Sequence, residues 1–121
     1  MIDHLEEHEI FVFGSNMLGL HLGGAARQAT LEFGAEMGVG EGLTGQCYAF
    51  PTLSATGKRL STEDLKDSRR ELYLECLMNP EKRFLLTKVG CGIAGYPEDV
   101  MRDLFADPPA NLILPEDWRR P

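Results

Sequence analysis

The chain has 121 residues, of which 43% are hydrophobic and 26% are charged. This is the ordinary composition of a globular protein, and it excludes a disordered tail, a collagen-like fibre and a coiled coil. The length predicts a single domain over residues 1–121. The net charge of −7 would repel a phosphate backbone, so we expect no sequence-specific contact with a nucleic-acid polymer.

The sequence shows no signal for secretion, for disulfide bonds or for a metal site. The chain begins with neither the cationic nor the apolar region of a signal peptide, and no apolar stretch approaches ~20 residues. We therefore expect a cytoplasmic protein with no membrane partner. Cys47, Cys76 and Cys91 have no paired spacing, so a disulfide framework is not expected. His4 and His8 could share a metal on a helix, but no third ligand is nearby, and we predict no metal site.

Two strands and one helix are predicted in the first half of the chain. Residues 9–13 form a short apolar run, which is typical of a buried strand. Residues 24–33 carry alanines at helical spacing, with Gly34 where a C-cap glycine would lie. The glycines at 38–45 indicate a connector of no evident role, and residues 46–50 predict the second strand.

Two helices and two strands are predicted in the second half. Residues 61–64 resemble a capping box, and the apolar stripe that follows predicts a helix that ends at Asn79. Residues 83–89 form the clearest strand pattern of the chain. A helix opens at Pro97 with acidic residues in its first turn, and residues 111–114 predict a last short strand.

The predicted elements alternate in the order β-α-β-α-β-α-β. Such alternation packs as a mostly parallel sheet with helices on both faces, so we predict a three-layer α/β/α sandwich. Ligands of such folds bind beyond the carboxyl ends of the strands. Two glycine-rich segments lie there. The first glycine loop, residues 14–24, follows the first predicted strand, and the second glycine loop, residues 90–96, follows the third.

The two glycine loops point to an anionic ligand. Of the 13 glycines, nine lie within residues 14–45 and three within residues 90–95. Glycine lets backbone N–H groups approach a ligand, and a helix N-terminus adds partial positive charge. Together these features suit a phosphate or a diphosphate. The alternative interpretation is that the glycines only make tight turns.

Known glycine motifs do not by themselves identify the site. Residues 90–95 have the Gly-x-Gly-x-x-Gly spacing of a dinucleotide-binding fingerprint. That fingerprint normally opens the first strand-to-helix turn, whereas here it follows the third predicted strand. The Gly-Lys pair at 57–58 lacks the other residues of a Walker A motif, so the sequence predicts neither a kinase nor a GTPase.

Four segments in chain order carry a family resemblance. The first reads Ile-Phe-Val-Phe-Gly-Ser-Asn at residues 10–16, then Gly-Gly-Ala-Ala at 23–26 and Phe-Gly-Ala at 33–35. The others are residues 42–52, residues 89–96 (Val-Gly-Cys-Gly-Ile-Ala-Gly-Tyr) and residues 111–118. Together they resemble the macro domain superfamily, in its short phage and bacterial branch, over nearly the whole chain.

The resemblance implies a minimal macro-domain-like fold that recognises ADP-ribose or a close derivative, free or attached to a macromolecule, without a metal or cofactor. In macro domains the asparagine after the first strand contacts the distal ribose, and Asn16 matches it. The second glycine loop closes over the diphosphate. The residues implied to contact the ligand are Gly14, Ser15, Asn16, Gly23, Gly24, Gly90, Cys91, Gly92, Ile93, Ala94, Gly95 and Tyr96.

Three side chains near the expected ligand are candidates for chemistry. The amide of Asn16 can accept a hydrogen bond from one ribose hydroxyl and donate to another, with an Asx turn or a helix N-cap as its alternative role. His21 is a candidate general base, with a surface loop histidine as the alternative. Cys91 is a candidate nucleophile, but no partner base is evident and a small residue also suits a tight loop.

The resemblance leaves three functions open. The first is a hydrolase of ADP-ribosyl groups or a phosphatase of ADP-ribose 1″-phosphate, in which the attacking water is held between the distal ribose and a phosphate. The second is a noncatalytic module that binds ADP-ribose or an NAD metabolite. The third is a phage-associated interaction domain with a degenerate pocket, because the family's adenine-recognising aspartate has no counterpart here.

Overall fold

The computed structural model describes residues 2–21 and 23–119, which form five strands and three α-helices. The elements are β1 (Glu9–Asn16), α1 (Gly24–Glu32), β2 (Gly42–Thr44), β3 (Cys47–Leu53), α2 (Thr62–Met78), β4 (Arg83–Leu86), α3 (Glu98–Leu104) and β5 (Leu112–Ile113). A single 3₁₀ turn, Glu116–Trp118, follows β5. The predicted alternation of strands and helices is confirmed, with β2 as an additional strand.

The sheet has the strand order β2-β3-β1-β4-β5. β1 lies at its centre and pairs in parallel with β3 and β4, and β4 pairs in parallel with β5. Only β2 runs antiparallel, as the outer strand of a hairpin with β3. The prediction of a mostly parallel sheet is therefore confirmed. The strand β2 lies in the segment that the sequence assigned to a connector, and that assignment is wrong for Gly42–Thr44.

Alternate side chains of β1 pack on opposite faces of the sheet. Ile10 and Val12 belong to one buried apolar cluster, which also contains side chains of α2 and α3. Phe11 and Phe13 belong to a second cluster, which contains Ala29 and a neighbouring alanine of α1. Since a parallel strand buried on both faces reads as a continuous apolar run, this arrangement explains the pattern at residues 9–13.

Three predicted strand ends differ from the structure. β1 continues past residue 13 to Asn16, so Gly14 lies within the strand and not after it. β3 continues past residue 50 to Leu53, because it stays paired with β1 over these residues, whereas β2 pairs with it only up to Ala49. Pro51 therefore lies where β3 is an edge strand, and its missing N–H leaves no acceptor unpaired. β4 ends at Leu86 rather than at residue 89. The pairing with β1 ends at Thr87, whose backbone N–H and hydroxyl both donate to the carbonyl of Val12.

The predicted boundaries of α2 are confirmed. The hydroxyl oxygen of Ser61 accepts a hydrogen bond from the backbone N–H of Asp64 at 3.1 Å, and Asn79 is the C-cap. Both features follow from the local sequence, because serine satisfies a free N–H of the first turn. None of the helices in residues 2–21 and 23–119 is long and apolar enough to cross a membrane.

Candidate functional site

A cleft of about 430 Å³ opens beyond the carboxyl ends of β1, β3 and β4. Parallel neighbours end at the same edge of a sheet, so the segments that follow these strands meet there. The start of α1 forms another wall of the cleft. Two loops that are distant in the chain are thereby brought to one site.

Most of the residues expected to contact a ligand line this cleft. Those from the first glycine loop are Gly14, Ser15, Asn16, Gly23 and Gly24. Those from the second glycine loop are Gly90, Gly92, Ile93 and Ala94. The cleft lining does not include Cys91, Gly95, Tyr96 or His21.

The start of α1 offers free backbone N–H groups to the cleft. Its N-cap, Gly23, makes no side-chain cap hydrogen bond, and no acidic residue lies in the first turn. The first N–H groups of a helix have no partner within the helix. Gly24, Ala25 and Ala26 carry these groups and all three line the cleft. Such an end is suited to an anion.

The second glycine loop is folded by its own backbone hydrogen bonds. The N–H of Gly95 donates to the carbonyl of Gly92, and the N–H of Tyr96 donates to that of Gly90. Among the described residues, the N–H groups of Gly92, Ile93 and Ala94 have no hydrogen-bond acceptor. The loop therefore adds a second set of unbonded backbone donors from residues that line the cleft.

The amide of Asn16 closes its own loop. Its Nδ2 donates to the carbonyl of Leu20, and its Oδ1 accepts from the N–H of Leu20, each at 3.1 Å. This is the local turn that the sequence offered as the alternative role. An amide has two N–H bonds and two oxygen lone pairs, so one donor and one acceptor of Asn16 are left for a ligand. The two roles are therefore compatible.

His21 lies away from the cleft, in a buried position that is 2% exposed. Its Nε2 is 3.0 Å from the carbonyl oxygen of Glu36, and its ring meets Phe13 edge-on at 5.0 Å. Because a carbonyl only accepts, this contact places the proton on Nε2. Nδ1 has no hydrogen-bond partner among the described residues. The alternative of a surface loop histidine is wrong, and His21 is not among the residues that line the cleft, so its position gives the general-base prediction no support.

Cys91 is half-buried outside the cleft lining, and its Sγ donates weakly to the carbonyl of Val89 at 3.7 Å. Burial, with a further effect of the Glu98 carboxylate, raises the pKa of this thiol. A thiol with a raised pKa stays protonated at neutral pH and is a poor nucleophile. The geometry favours the interpretation that Cys91 is a small residue fitted to the loop.

The sequence did not identify Arg59, which fastens the second glycine loop. Its Nε donates to the carbonyl of Ala94 at 2.7 Å, and its Nη2 donates to that of Gly95 at 2.6 Å. The guanidinium also lies 5.2 Å from the centre of the Tyr96 ring. The Tyr96 hydroxyl donates to the carbonyl of Leu60 at 2.8 Å, and the carbonyl oxygen of Thr52 lies 3.0 Å from the same hydroxyl. The loop is thus tied to the segment after β3.

Lys88 also lines the cleft without having been predicted. Its Nζ is 2.6 Å from Asp117 and 2.8 Å from Glu98, and the indole N–H of Trp118 donates to Glu98. The hydrogen bonds to Asp117 and Glu98 raise the pKa of Lys88, and the same bonds lower the pKa of each carboxyl. Lys88 therefore stays charged, and its charge is balanced by the two carboxylates.

The cleft is poor in groups that transfer protons. Among the described residues that line it, Lys88 is the only one with an ionisable side chain. Nowhere in residues 2–21 and 23–119 do three or more histidine, cysteine, aspartate or glutamate side chains form a possible metal site. The polar groups of the lining are backbone amides, the Asn16 amide and the Lys88 ammonium, whereas the hydroxyls of Ser15, Thr52 and Thr87 each donate to a backbone carbonyl of the protein.

Comparison with known proteins found no family model, no curated protein and no solved structure that matches this chain. The resemblance to macro domains rests on the four sequence segments.

Proposed function

We propose that the cleft binds the ribose and diphosphate portion of ADP-ribose or of a closely related nucleotide. One observation carries the proposal: the two glycine loops predicted to hold this ligand border a single cleft at the carboxyl ends of parallel strands. The volume of about 430 Å³ is in the usual range of small-molecule sites.

The backbone is the main source of affinity for the diphosphate. The first-turn N–H groups of α1 and the unbonded N–H groups of residues 92–94 lie at the same cleft. Backbone N–H donors bind phosphate oxygens without a cationic side chain, and a helix N-terminus adds partial positive charge. An acidic protein can hold an anion in this way.

The distal ribose is proposed to lie beside Asn16. The remaining N–H and lone pair of its amide match two ribose hydroxyls, one as acceptor and one as donor. The hydrogen bonds to Leu20 hold the amide in place before a ligand arrives. A carboxylate at this position would repel the phosphates instead.

The fold that we propose is a minimal three-layer α/β/α sandwich of the macro-domain type. The buried cluster on one face of the sheet includes α1, and the cluster on the other face includes α2 and α3. The two glycine loops at the cleft are the segments that the macro-domain resemblance assigns to the ligand.

Binding explains this site better than hydrolysis does. No carboxylate, imidazole or thiol is found among the described residues that line the cleft. A hydrolytic step would have to rely on a water positioned by the ligand itself. We therefore propose a binding module and treat release of a product as an outcome to be tested.

Calorimetric titration with ADP-ribose tests the proposal, with ADP and ribose 5-phosphate as partial ligands. We expect ADP-ribose to bind and Gly92→Asp to weaken binding at least about tenfold, because a carboxylate would face the diphosphate. Apart from its chain neighbours, no described residue has a heavy atom within 4 Å of the Cβ position of Gly92, so the variant should fold. Leu77→Asp, on an exposed site of α2, adds the same charge elsewhere and should bind normally.

Two results would overturn the binding proposal: no heat at millimolar ADP-ribose, or equal affinity of wild type and Gly92→Asp. A separate incubation with an ADP-ribosylated protein and with ADP-ribose 1″-phosphate distinguishes a binding module from an enzyme. Release of product by wild type that is lost in Gly92→Asp would assign hydrolysis to this cleft.

A further inference from the structure

A second groove, of about 580 Å³, lies at the β5 edge of the sheet. Its walls come from the end of α3, β5, the 3₁₀ turn and Arg83 at the start of β4. The cleft described above uses residues that follow the other end of β4. The groove is therefore a separate site on the molecule.

Three arginines line this groove, in a protein whose net charge is −7. They are Arg83, Arg102 and Arg119, and the only acidic residue of the described lining is Asp107. A cationic surface on an acidic protein concentrates anions locally and repels other cations. Guanidinium groups in particular pair with carboxylates through two parallel hydrogen bonds.

Each of the three arginines is held by a contact within the protein and still has unbonded N–H donors. The Nε of Arg119 donates to the carbonyl of Leu114 at 3.0 Å, and the Nε of Arg102 to the carboxylate of Asp103 at 3.2 Å. Within residues 2–21 and 23–119, no acceptor binds the terminal nitrogens of these two arginines. In the described part of the chain, the side chain of Arg83 makes only a long ion pair of 3.7 Å with Glu9. Donors for an incoming anion are left on each side chain.

The walls of the groove are apolar and held in place. Pro108, Ile113 and Leu114 are half-buried side chains of the lining. Two side chains of α2 fix the end of α3: Arg69 donates to the carbonyl of Leu104 at 2.8 Å, and Tyr73 to that of Ala106 at 2.9 Å. A fixed apolar wall beside cationic side chains favours a ligand that carries both acidic and apolar groups.

We propose that this groove binds an acidic polypeptide segment in which apolar side chains alternate with carboxylates. In this proposal the arginines of the lining pair with the carboxylates of the segment, and the apolar walls contact the side chains between them. β5 is a two-residue strand that ends the sheet on this side, and the proposed segment would lie extended beside it. A lone phosphate would use the arginines but not the walls.

Fluorescence anisotropy with a short labelled peptide of alternating glutamate and leucine tests this proposal. We expect saturable binding that weakens with added salt, and a loss of at least about tenfold in the double variant Arg102→Gln/Arg119→Gln, because hydrogen bonds to charged groups are removed. The charge-matched control is Arg27→Gln/Arg70→Gln, whose exposed arginines lie on helices outside the groove. This control should bind like wild type. Thermal unfolding verifies that both variants are folded.

Three outcomes would overturn the proposal. Equal affinity of the double variant and wild type would show that the arginines do not contribute to peptide binding. Equal affinity of a glutamate–serine peptide, or full displacement by millimolar inorganic phosphate, would reduce the groove to a small-anion site. Displacement by saturating ADP-ribose would place the peptide in the cleft. Loss of ADP-ribose binding leaves the peptide experiment unaffected, so the two proposals fail separately.

Discussion

Asn16 combines a structural and a proposed binding role in one amide. Replacing it by aspartate preserves the size and the acceptor for the N–H of Leu20, but removes the N–H that donates to the carbonyl of Leu20. The carboxylate would then lie beside a carbonyl oxygen and near the proposed diphosphate. We expect Asn16→Asp to lower the free energy of unfolding by about 1 kcal/mol and to weaken ADP-ribose binding at least about tenfold.

Urea unfolding and calorimetry measure the two effects of Asn16→Asp separately. Leu77→Asp controls for the added charge. If Asn16→Asp is destabilised but binds ADP-ribose like wild type, the amide only closes its loop, and the role implied by the macro-domain resemblance is wrong for this chain.

At the scale of an element, the glycine-rich connector acts as a support for the first glycine loop. A Cβ on Gly40 would lie 2.5 Å from the carbonyl oxygen of Asn16 and 2.6 Å from that of Met17. The hydroxyl of Ser15 also donates to the carbonyl of Gly40. The two segments pack backbone to backbone, which leaves no room for a side chain between them.

Gly40→Ala should therefore be strongly destabilising. Overpacking of this kind typically lowers the free energy of unfolding by about 1–3 kcal/mol. Gly92→Ala is the matched control, because its Cβ position has open space and its backbone has no positive φ. It should change stability by less than about 0.5 kcal/mol. Urea unfolding midpoints compare the two, and equal midpoints would contradict the close approach at Gly40.

The contact of Arg59 with the second glycine loop predicts an effect on binding rather than on folding. Arg59→Lys keeps the charge but cannot donate to the carbonyls of Ala94 and Gly95 in the same fork. We expect faster exchange of the hydrogen-bonded amides of Gly95 and Tyr96, and a severalfold weaker affinity for ADP-ribose. Lys58→Gln, on the exposed neighbouring side chain, should change neither. Unchanged exchange in Arg59→Lys would show that the loop holds its shape alone.

The sequence predicts those elements whose cause is local. A few neighbouring residues are enough to predict the apolar run of β1, the serine cap of α2 and the glycine loops that follow β1 and β4. β2 was missed because Gly-Leu-Thr has no strand pattern and forms only by pairing with β3. The contacts of Arg59 and His21 could not be predicted, because their hydrogen-bond partners lie in other loops and only the fold brings them together.

At the scale of the whole molecule, ion pairs of Lys88 connect the cleft lining with the C-terminal part of the chain. Its ammonium joins the segment after β4 to Glu98 at the start of α3 and to Asp117 in the 3₁₀ turn. Trp118, which is almost completely buried, donates to the same Glu98 carboxylate. The three groups are partly exposed, but together they fix the position of three elements around the cleft.

This ion network predicts how stability depends on pH. The bonds to Lys88 lower the pKa of Glu98 and of Asp117, so each carboxyl contributes stability that is present above its ordinary pKa of 4.5 or 3.8 and is lost as the pH falls through its lowered pKa. The pKa of Lys88 is raised, so its contribution is complete below its ordinary value of 10.5 and disappears only at still higher pH. The network should therefore be fully formed from about pH 6 to pH 9.

Lys88→Met keeps much of the aliphatic stem and removes the charge. We expect this variant to unfold at lower urea concentration than wild type by a constant difference between about pH 6 and pH 9, and the difference to shrink once the carboxyls take up protons in acid. Lys66→Met is the control, because among the described residues Lys66 makes only an exposed 3.7 Å ion pair with Glu63. If the difference between wild type and Lys88→Met were the same in acid as at neutral pH, packing of the lysine stem, and not its charge, would hold the three elements together.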